Sequence, residues 1–262
     1  MKKVLSAAPV SKRIHTLDEI RGFAVLCMVL YHTFFLMGST FGIDAGNKLF
    51  EFFMPMQPFF AGIFIFISGI SSRLSHNNTA RGLRLLLIAA AITAVSVWIA
   101  PLIGFDGLQI WFGVLHLLSV SMLIFSLTRP ALDRIAPHWG ILICALLYAF
   151  TAEIGYGVLH FGELIFINIP EKLFSTNLLF PLGIYSDSFF SADYFPVFPH
   201  IFLFLAGTFT GVYAAAGRFP RGMYKLRVPF FSFLGRHALI IYVCHQPVII
   251  AILTLCRAIF KF

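Results

Sequence analysis

The chain has 262 residues, of which 59% are hydrophobic and only 11% charged. Soluble domains usually carry about 25% charged residues. With a mean hydropathy of +0.90, the composition excludes an ordinary soluble domain and indicates an integral membrane protein. A formal charge of +8 raises nucleic acid as a partner, but the basic residues cluster in a few short loops, as topology signals do. The expected partner is therefore the lipid bilayer and no nucleic acid.

The chain opens on a polar, basic stretch to Arg13, with no small-residue cleavage site of the A-x-A type. The first span is expected to be retained, not removed as a signal peptide. A membrane helix needs about 20 mostly apolar residues. Seven segments qualify: 20–38, 56–74, 84–103, 109–128, 139–158, 195–216 and 237–257. Segment 174–192 is apolar in patches but is interrupted by Pro181, Asp187 and several serines. It reads as an interfacial or re-entrant stretch, and an eighth short span stays open. The expected fold is a polytopic all-α membrane helix bundle, one domain over 1–262, with 1–19 as a cytoplasmic N-terminal segment.

The loop charges orient it. Lys2, Lys3, Lys12, Arg13 and Arg21 lie before or at the first span. Arg73, Arg81 and Arg84, then Arg129 and Arg134, then Arg218, Arg221, Lys225, Arg227 and Arg236 fall on the same side. The opposite loops hold Asp44, Lys48, Glu51, Asp106, Glu163, Glu171, Lys172, Asp187 and Asp193. The positive-inside rule makes the N-terminus and the basic loops cytoplasmic. Arg257 and Lys261 at the opposite end mildly oppose this. A bacterial inner membrane is the expected location.

Three histidines lie inside spans: His32, His116 and His245. An ionisable side chain is expensive in a membrane helix and marks a functional site by default. His32 lies about 18 Å from the inner end of its span, and His116 about 10 Å from the outer end of its own, at 1.5 Å per residue. His200, Asp106 and Asp193 fall near outer span ends. Together with His32 and His116 they could meet in one outward-leaning cavity. Asp18 and Arg21 stand at the inner mouth, spaced i, i+3 so that they can pair.

A neutral imidazole can take a proton from an attacking amine or hydroxyl and return it to a leaving thiolate. It can also carry the acyl group itself. Such chemistry midway through a membrane suits acyl transfer from a cytoplasmic donor to an outer acceptor. The basic inner loops could hold the phosphates of coenzyme A. The structural alternative is that these histidines are hydrogen-bonding glue between helices. His15, His76, His138 and His160 are read as solvated loop residues. Gly22 is read as a close-packing position, and Asp193 could serve only as a helix N-terminal charge. No metal is expected, because the histidines lack ligand spacing. Cys27, Cys144, Cys244 and Cys256 sit in apolar runs without CxxC pairing and read as packing residues.

The motifs form an ordered set. Leu17-Asp18-x-x-Arg21-Gly22 leads into Met28-Val29-Leu30-Tyr31-His32. Then come Ser68-Gly69-Ile70-Ser71, Phe112-Gly113-Val114-Leu115-His116, Asp193-Tyr194-Phe195-Pro196, Leu234-Gly235-Arg236-His237 and Ile241-Tyr242 with His245-Gln246-Pro247. Over nearly the whole chain this resembles the heparan-alpha-glucosaminide N-acetyltransferase catalytic-domain family, in the form of small bacterial membrane proteins. The resemblance implies acetyl-coenzyme A as co-substrate from the cytoplasmic side and an amino sugar or related glycan acetylated outside. The lysosomal relatives carry more spans and a histidine in the loop after the first; residues 39–55 here contain none.

The expected site follows. His32 and His116 are the catalytic candidates, His32 as base or acyl carrier, and His116 with Asp193 orienting the acceptor or the imidazole. His200, His245 and Gln246 support the cavity or the acceptor, and Asp18 and Arg21 shape the donor mouth. Two alternatives stay open: an O-acyltransferase of the broader membrane acyltransferase group, and a non-enzymatic proton-coupled transporter. A homodimer is also left open.

Overall fold

The computed structural model describes residues 13–260. Lys2, Lys3, Lys12 and Lys261, counted above for orientation, lie outside the described residues. The structure is 73% helical, so the all-α reading holds. Seven helical segments are long and apolar enough to cross a membrane: His15–Thr40, Asp44–Leu74, Asn78–Leu102, Val114–Leu132, Pro137–Tyr156, Val197–Ala215 and Ala238–Ile259. Each overlaps one expected span.

In chain order the elements are α1 (His15–Phe35), which passes into a π turn (Leu36–Thr40), then α2 (Asp44–Phe53) and α3 (Gln57–Leu74). Next come α4 (Asn78–Ala94), a second π turn (Val95–Ile99), the single turn α5 (Ala100–Leu102), α6 (Val114–Leu132) and α7 (Pro137–Thr151). A hairpin of β1 (Val158–Phe161) and β2 (Ile165–Asn168) precedes α8 (Val197–Ala215), α9 (Pro229–Arg236) and α10 (Ala238–Phe260). The chain divides into two compact units, Met1–Phe64 with Phe219–Phe262, and Ile65–Arg218.

In the first unit, α1 and α9 cross almost backbone on backbone. A Cβ on Gly22 would overlap the carbonyl oxygen of Phe231, and one on Gly235 would overlap that of Asp18. Small residues at a crossing let membrane helices approach this closely. The same crossing explains Glu19, which is buried at 8% exposure. Its carboxylate accepts the backbone N–H groups of Arg227 at 2.6 Å and Val228 at 3.0 Å. A buried charge is tolerable when paired or hydrogen-bonded. Glu19 thus ties the basic loop before α9 onto the start of α1. Beside it, Asp18 receives Arg13 Nε at 2.7 Å and Arg21 Nη1 at 3.3 Å.

In the second unit, α6 and α8 are the interior helices; half or more of each is buried, against about a sixth of α4 and α7. Gly69 and Gly207 let α3 and α8 touch, because a Cβ on either would overlap a carbonyl oxygen of the other helix. Gly140 on α7 makes room for the ring of Phe209 on α8. Cys144 packs in that contact with Ala206 and Phe209, and all four cysteines are free. At one end Arg73 pairs with Asp133, which also lies 3.7 Å from Arg129, so these two cations of the basic loops are partly spent on the protein itself.

Several boundaries differ from the sequence reading; the first three spanning segments begin earlier, at His15, Asp44 and Asn78, and two differences bear on the site. The fourth helix starts at Val114, because residues 109–112 form a loop bonded to 191–195: Ala192 N donates to the Gln109 carbonyl at 2.8 Å and Phe195 N to that of Phe112 at 3.0 Å. The fifth stops at Thr151, and Gly157 then takes a left-handed conformation (φ 81°) before the hairpin, whose register pairs Val158 with Asn168 and Phe161 with Ile165. Segment 174–192 forms short 3-10 turns and loops, with no helix of spanning length among its residues.

Candidate active site

Two polar centres stand out, one in each unit. In the first unit α1 carries His32 and α10 carries His245, and both are buried, at 5% and 7% exposure. Their rings lie 5.0 Å apart between centroids, tilted by 50°. Tyr31 meets His32 edge-on at 5.4 Å, and Tyr242 lies 5.5 Å from His245. The Tyr242 carbonyl, 2.6 Å from Nδ1 of His245, can only accept a hydrogen bond. In the neutral ring the proton therefore sits on Nδ1 and Nε2 is the basic nitrogen. A cavity of about 460 Å³ opens beside the ring, with Val29, Thr33, Cys244, His245 and Ile249 in its walls. Apart from the His245 imidazole, the Thr33 hydroxyl and the Cys244 thiol these walls are apolar; of the two histidines it is His245 that lines the cavity.

Gln246 is half-buried one residue further along α10. Asp18 and Arg21 form the expected i, i+3 pair on α1, about three to four turns from His32 at 3.6 residues per turn.

In the second unit the centre is built on the entry to α6. Gly113 N–H donates to Nδ1 of His116 at 3.2 Å. That nitrogen must therefore be unprotonated, and the ring's hydrogen sits on Nε2. Nε2 lies 3.3 Å from Oγ1 of Thr93, whose own hydroxyl donates to the Ile110 carbonyl at 2.8 Å. The chain is consistent in direction from end to end: imidazole to hydroxyl to carbonyl. Ser96 extends it by accepting Ile110 N–H at 3.0 Å. Phe112 stacks on the His116 ring at 5.4 Å and 28°.

Asp193 joins the same centre. Its Oδ2 accepts the Val114 N–H at 3.3 Å. The carboxylate therefore meets the N-terminal dipole of α6, where a negative charge is favoured. Ser191 reinforces the join by accepting Trp111 N–H at 3.1 Å. His200 belongs to a different arrangement. Its Nδ1 donates to the Pro196 carbonyl one turn back at 2.9 Å, with Phe195 edge-on at 5.4 Å. Asp106 is exposed in the loop before α6. Among the described residues no group of three His, Cys, Asp or Glu side chains is placed to hold a metal ion.

Of the expected residues, the structure brings His32 to His245 and His116 to Asp193. Sequence reasoning missed Glu19, Thr93, Ser96 and Ser191. Glu19 sits inside the first motif and could have been flagged as a third ionisable group there. Thr93 and Ser96 are hydroxyls three residues apart in an apolar span, which is the signal for a partner across the helix.

The catalytic-domain model of heparan-alpha-glucosaminide N-acetyltransferase matches residues 13–247, which takes in both centres. The chain belongs to this family. It is therefore a membrane protein of acetyltransferase type, and the ordered motifs lie on the elements just described. No curated protein and no solved structure matches it.

Proposed function

We propose that the protein moves an acetyl group from cytoplasmic acetyl-coenzyme A to an amino sugar or related glycan acceptor on the outer side of the membrane. The N-terminus is cytoplasmic in this reading, which rests on the loop charges, and the membrane is a bacterial inner membrane. The observation that carries it is the buried pair of imidazoles, His32 and His245, 5.0 Å apart beside an apolar cavity.

The chemistry needs one proton moved twice. The acceptor amine attacks the thioester carbonyl carbon, and the C–N bond forms as the carbonyl π bond opens onto oxygen. His32 takes the amine proton as general base. The tetrahedral intermediate collapses, the C–S bond breaks, and the same proton passes to the coenzyme A thiolate. In the covalent variant His32 carries the acetyl group between donor and acceptor. His245, held through Nδ1, positions the His32 ring, and Gln246 lends polar support. Asp18 and Arg21 shape the donor mouth. His116 and Asp193 hold the outer loops in place, and His200 supports the acceptor side.

The test is release of free coenzyme A thiol from acetyl-coenzyme A by the purified protein, with and without glucosamine. Glucosamine-dependent release supports the reading. Release with a hydroxyl acceptor but none with the amine would replace it with O-acyl transfer, and proton-coupled flux without thioester consumption would replace it with transport.

A further inference from the structure

Residues 221–236 of the first unit join two features that the histidine pair does not use. The segment is a 3-10 turn (Arg221–Tyr224), a short linker and α9. α9 crosses α1 at Asp18 and Gly22, about one to two turns from the start of α1 at His15. α10 begins at Ala238, just after α9 ends at Arg236. The segment therefore lies where α1 and α10 enter the membrane.

The first feature is an apolar face turned outward. α9 gives α1 its Phe231, Ser232 and Gly235 side: Ser232 and Gly235 are buried, and Phe231 meets Phe23 edge-on at 5.8 Å. Phe230 and Phe233, on the opposite side of the helix, stay exposed at 59% and 52%. Leu226 and Val228 continue this exposed apolar strip into the linker. Apolar rings set beside cations mark a helix that lies in the membrane interface.

The second feature is positive charge without a carboxylate to neutralise it. Arg221, Lys225, Arg227 and Arg236 are exposed, and among the described residues none of the four is in a salt bridge. Arg236 turns Nε to the Ser232 carbonyl at 3.3 Å. The carboxylates at the crossing are engaged elsewhere, Asp18 with Arg13 and Arg21, and Glu19 with the backbone N–H groups of Arg227 and Val228. The Glu19 bonds also fix the backbone that carries the Arg227 guanidinium. Cations set topology wherever they fall in a short loop; topology does not require them on one folded segment beside exposed rings.

A ligand for this surface carries negative charge and an apolar body in one molecule. A soluble phosphate compound would leave Phe230 and Phe233 uncovered. An anionic phospholipid covers both features, with phosphate for Lys and Arg and acyl chains for the rings. We infer that residues 221–236 form a docking surface for an anionic phospholipid, its headgroup held by Lys225 and Arg227 and its chains laid against Phe230 and Phe233.

The experiment is native mass spectrometry of the whole chain in detergent, titrated with dioleoyl phosphatidylglycerol or dioleoyl phosphatidylcholine, which share acyl chains and differ in net charge. Wild type is compared with the double variant Lys225→Gln/Arg227→Gln, which leaves the backbone bonds to Glu19 in place. A second double variant, Arg81→Gln/Arg84→Gln, removes the same charge from another basic loop. Each cation beside an anionic lipid is worth about fivefold in affinity. Wild type should therefore prefer phosphatidylglycerol, and Lys225→Gln/Arg227→Gln should weaken its binding about 25-fold while phosphatidylcholine binding stays within about twofold. Arg81→Gln/Arg84→Gln should keep the preference. Equal binding of the two lipids by wild type, or a preference that survives Lys225→Gln/Arg227→Gln, overturns the surface. An equal loss in Arg81→Gln/Arg84→Gln overturns it in favour of net charge alone. Displacement of phosphatidylglycerol by added acetyl-coenzyme A overturns it in favour of a soluble phosphate ligand.

Discussion

The two buried histidine centres have the same ingredients and opposite bonding logic. At His116 both ring nitrogens are committed: Nδ1 to a backbone N–H that can only donate, Nε2 to a threonine whose proton is already spent on a carbonyl. A proton arriving there would break the bond that starts α6. At His245 a backbone carbonyl lies on Nδ1, and the ring faces a second imidazole. That arrangement sets a tautomer without blocking proton traffic. The lesson is that an intramembrane histidine is costly in both places, but the direction of its hydrogen bonds separates a positioning role from a proton-transfer role.

Substitutions can sharpen or break this contrast. The largest effect is expected from His32→Ala: loss of about 10²–10⁴-fold in acetyl transfer, the range for a general acid–base group, with an unchanged elution profile in detergent. Next is Gly235→Val at the crossing of α1 and α9. The added atoms meet the Asp18 carbonyl, and overpacking of this kind costs about 1–3 kcal/mol, read as a lower midpoint in thermal unfolding. Asp193→Ala removes the acceptor at the start of α6 and should cost about 0.5–2 kcal/mol, as a lost helix cap does, with a smaller loss of transfer than His32→Ala. His116→Gln keeps hydrogen bonding and cannot act as a base; a loss of transfer within about tenfold is expected, matching one hydrogen bond of about 1 kcal/mol.

The smallest effect concerns pH. Burial, with Tyr185 adding to it, raises the Tyr194 phenol above its ordinary range. The folded protein then keeps a proton that the unfolded chain begins to lose near pH 10. Stability from this group is fully present below that pH and is lost as pH rises beyond it. Tyr194→Phe should therefore show a shallower loss of thermal stability above about pH 10 than wild type.

Much of this architecture could be read from the chain. Runs of about 20 apolar residues located each span, and Gly22 announced the close crossing because nothing larger fits there. The fourth span begins later than expected because residues 109–112 are as apolar as a helix start, while the loop at 191–195 that bonds to them lies some 80 residues away in sequence. The hairpin was hidden for a related reason: Ile165-Phe166-Ile167 is a short apolar run that periodicity alone does not assign. Within the site, His32, His116 and His245 were legible as costly residues, and their partners were not. Which histidine meets a carbonyl, and which meets an N–H, depends on loop paths such as 109–113 that composition does not encode.

The most direct measurement is acetyl transfer by His32→Ala and His116→Gln side by side, each shown to be folded, with acetyl-coenzyme A and glucosamine. Transfer lost in the first and largely kept in the second is the expected result. Full activity in His32→Ala, or complete loss in a folded His116→Gln protein, contradicts the assignment of proton transfer to the first centre and positioning to the second.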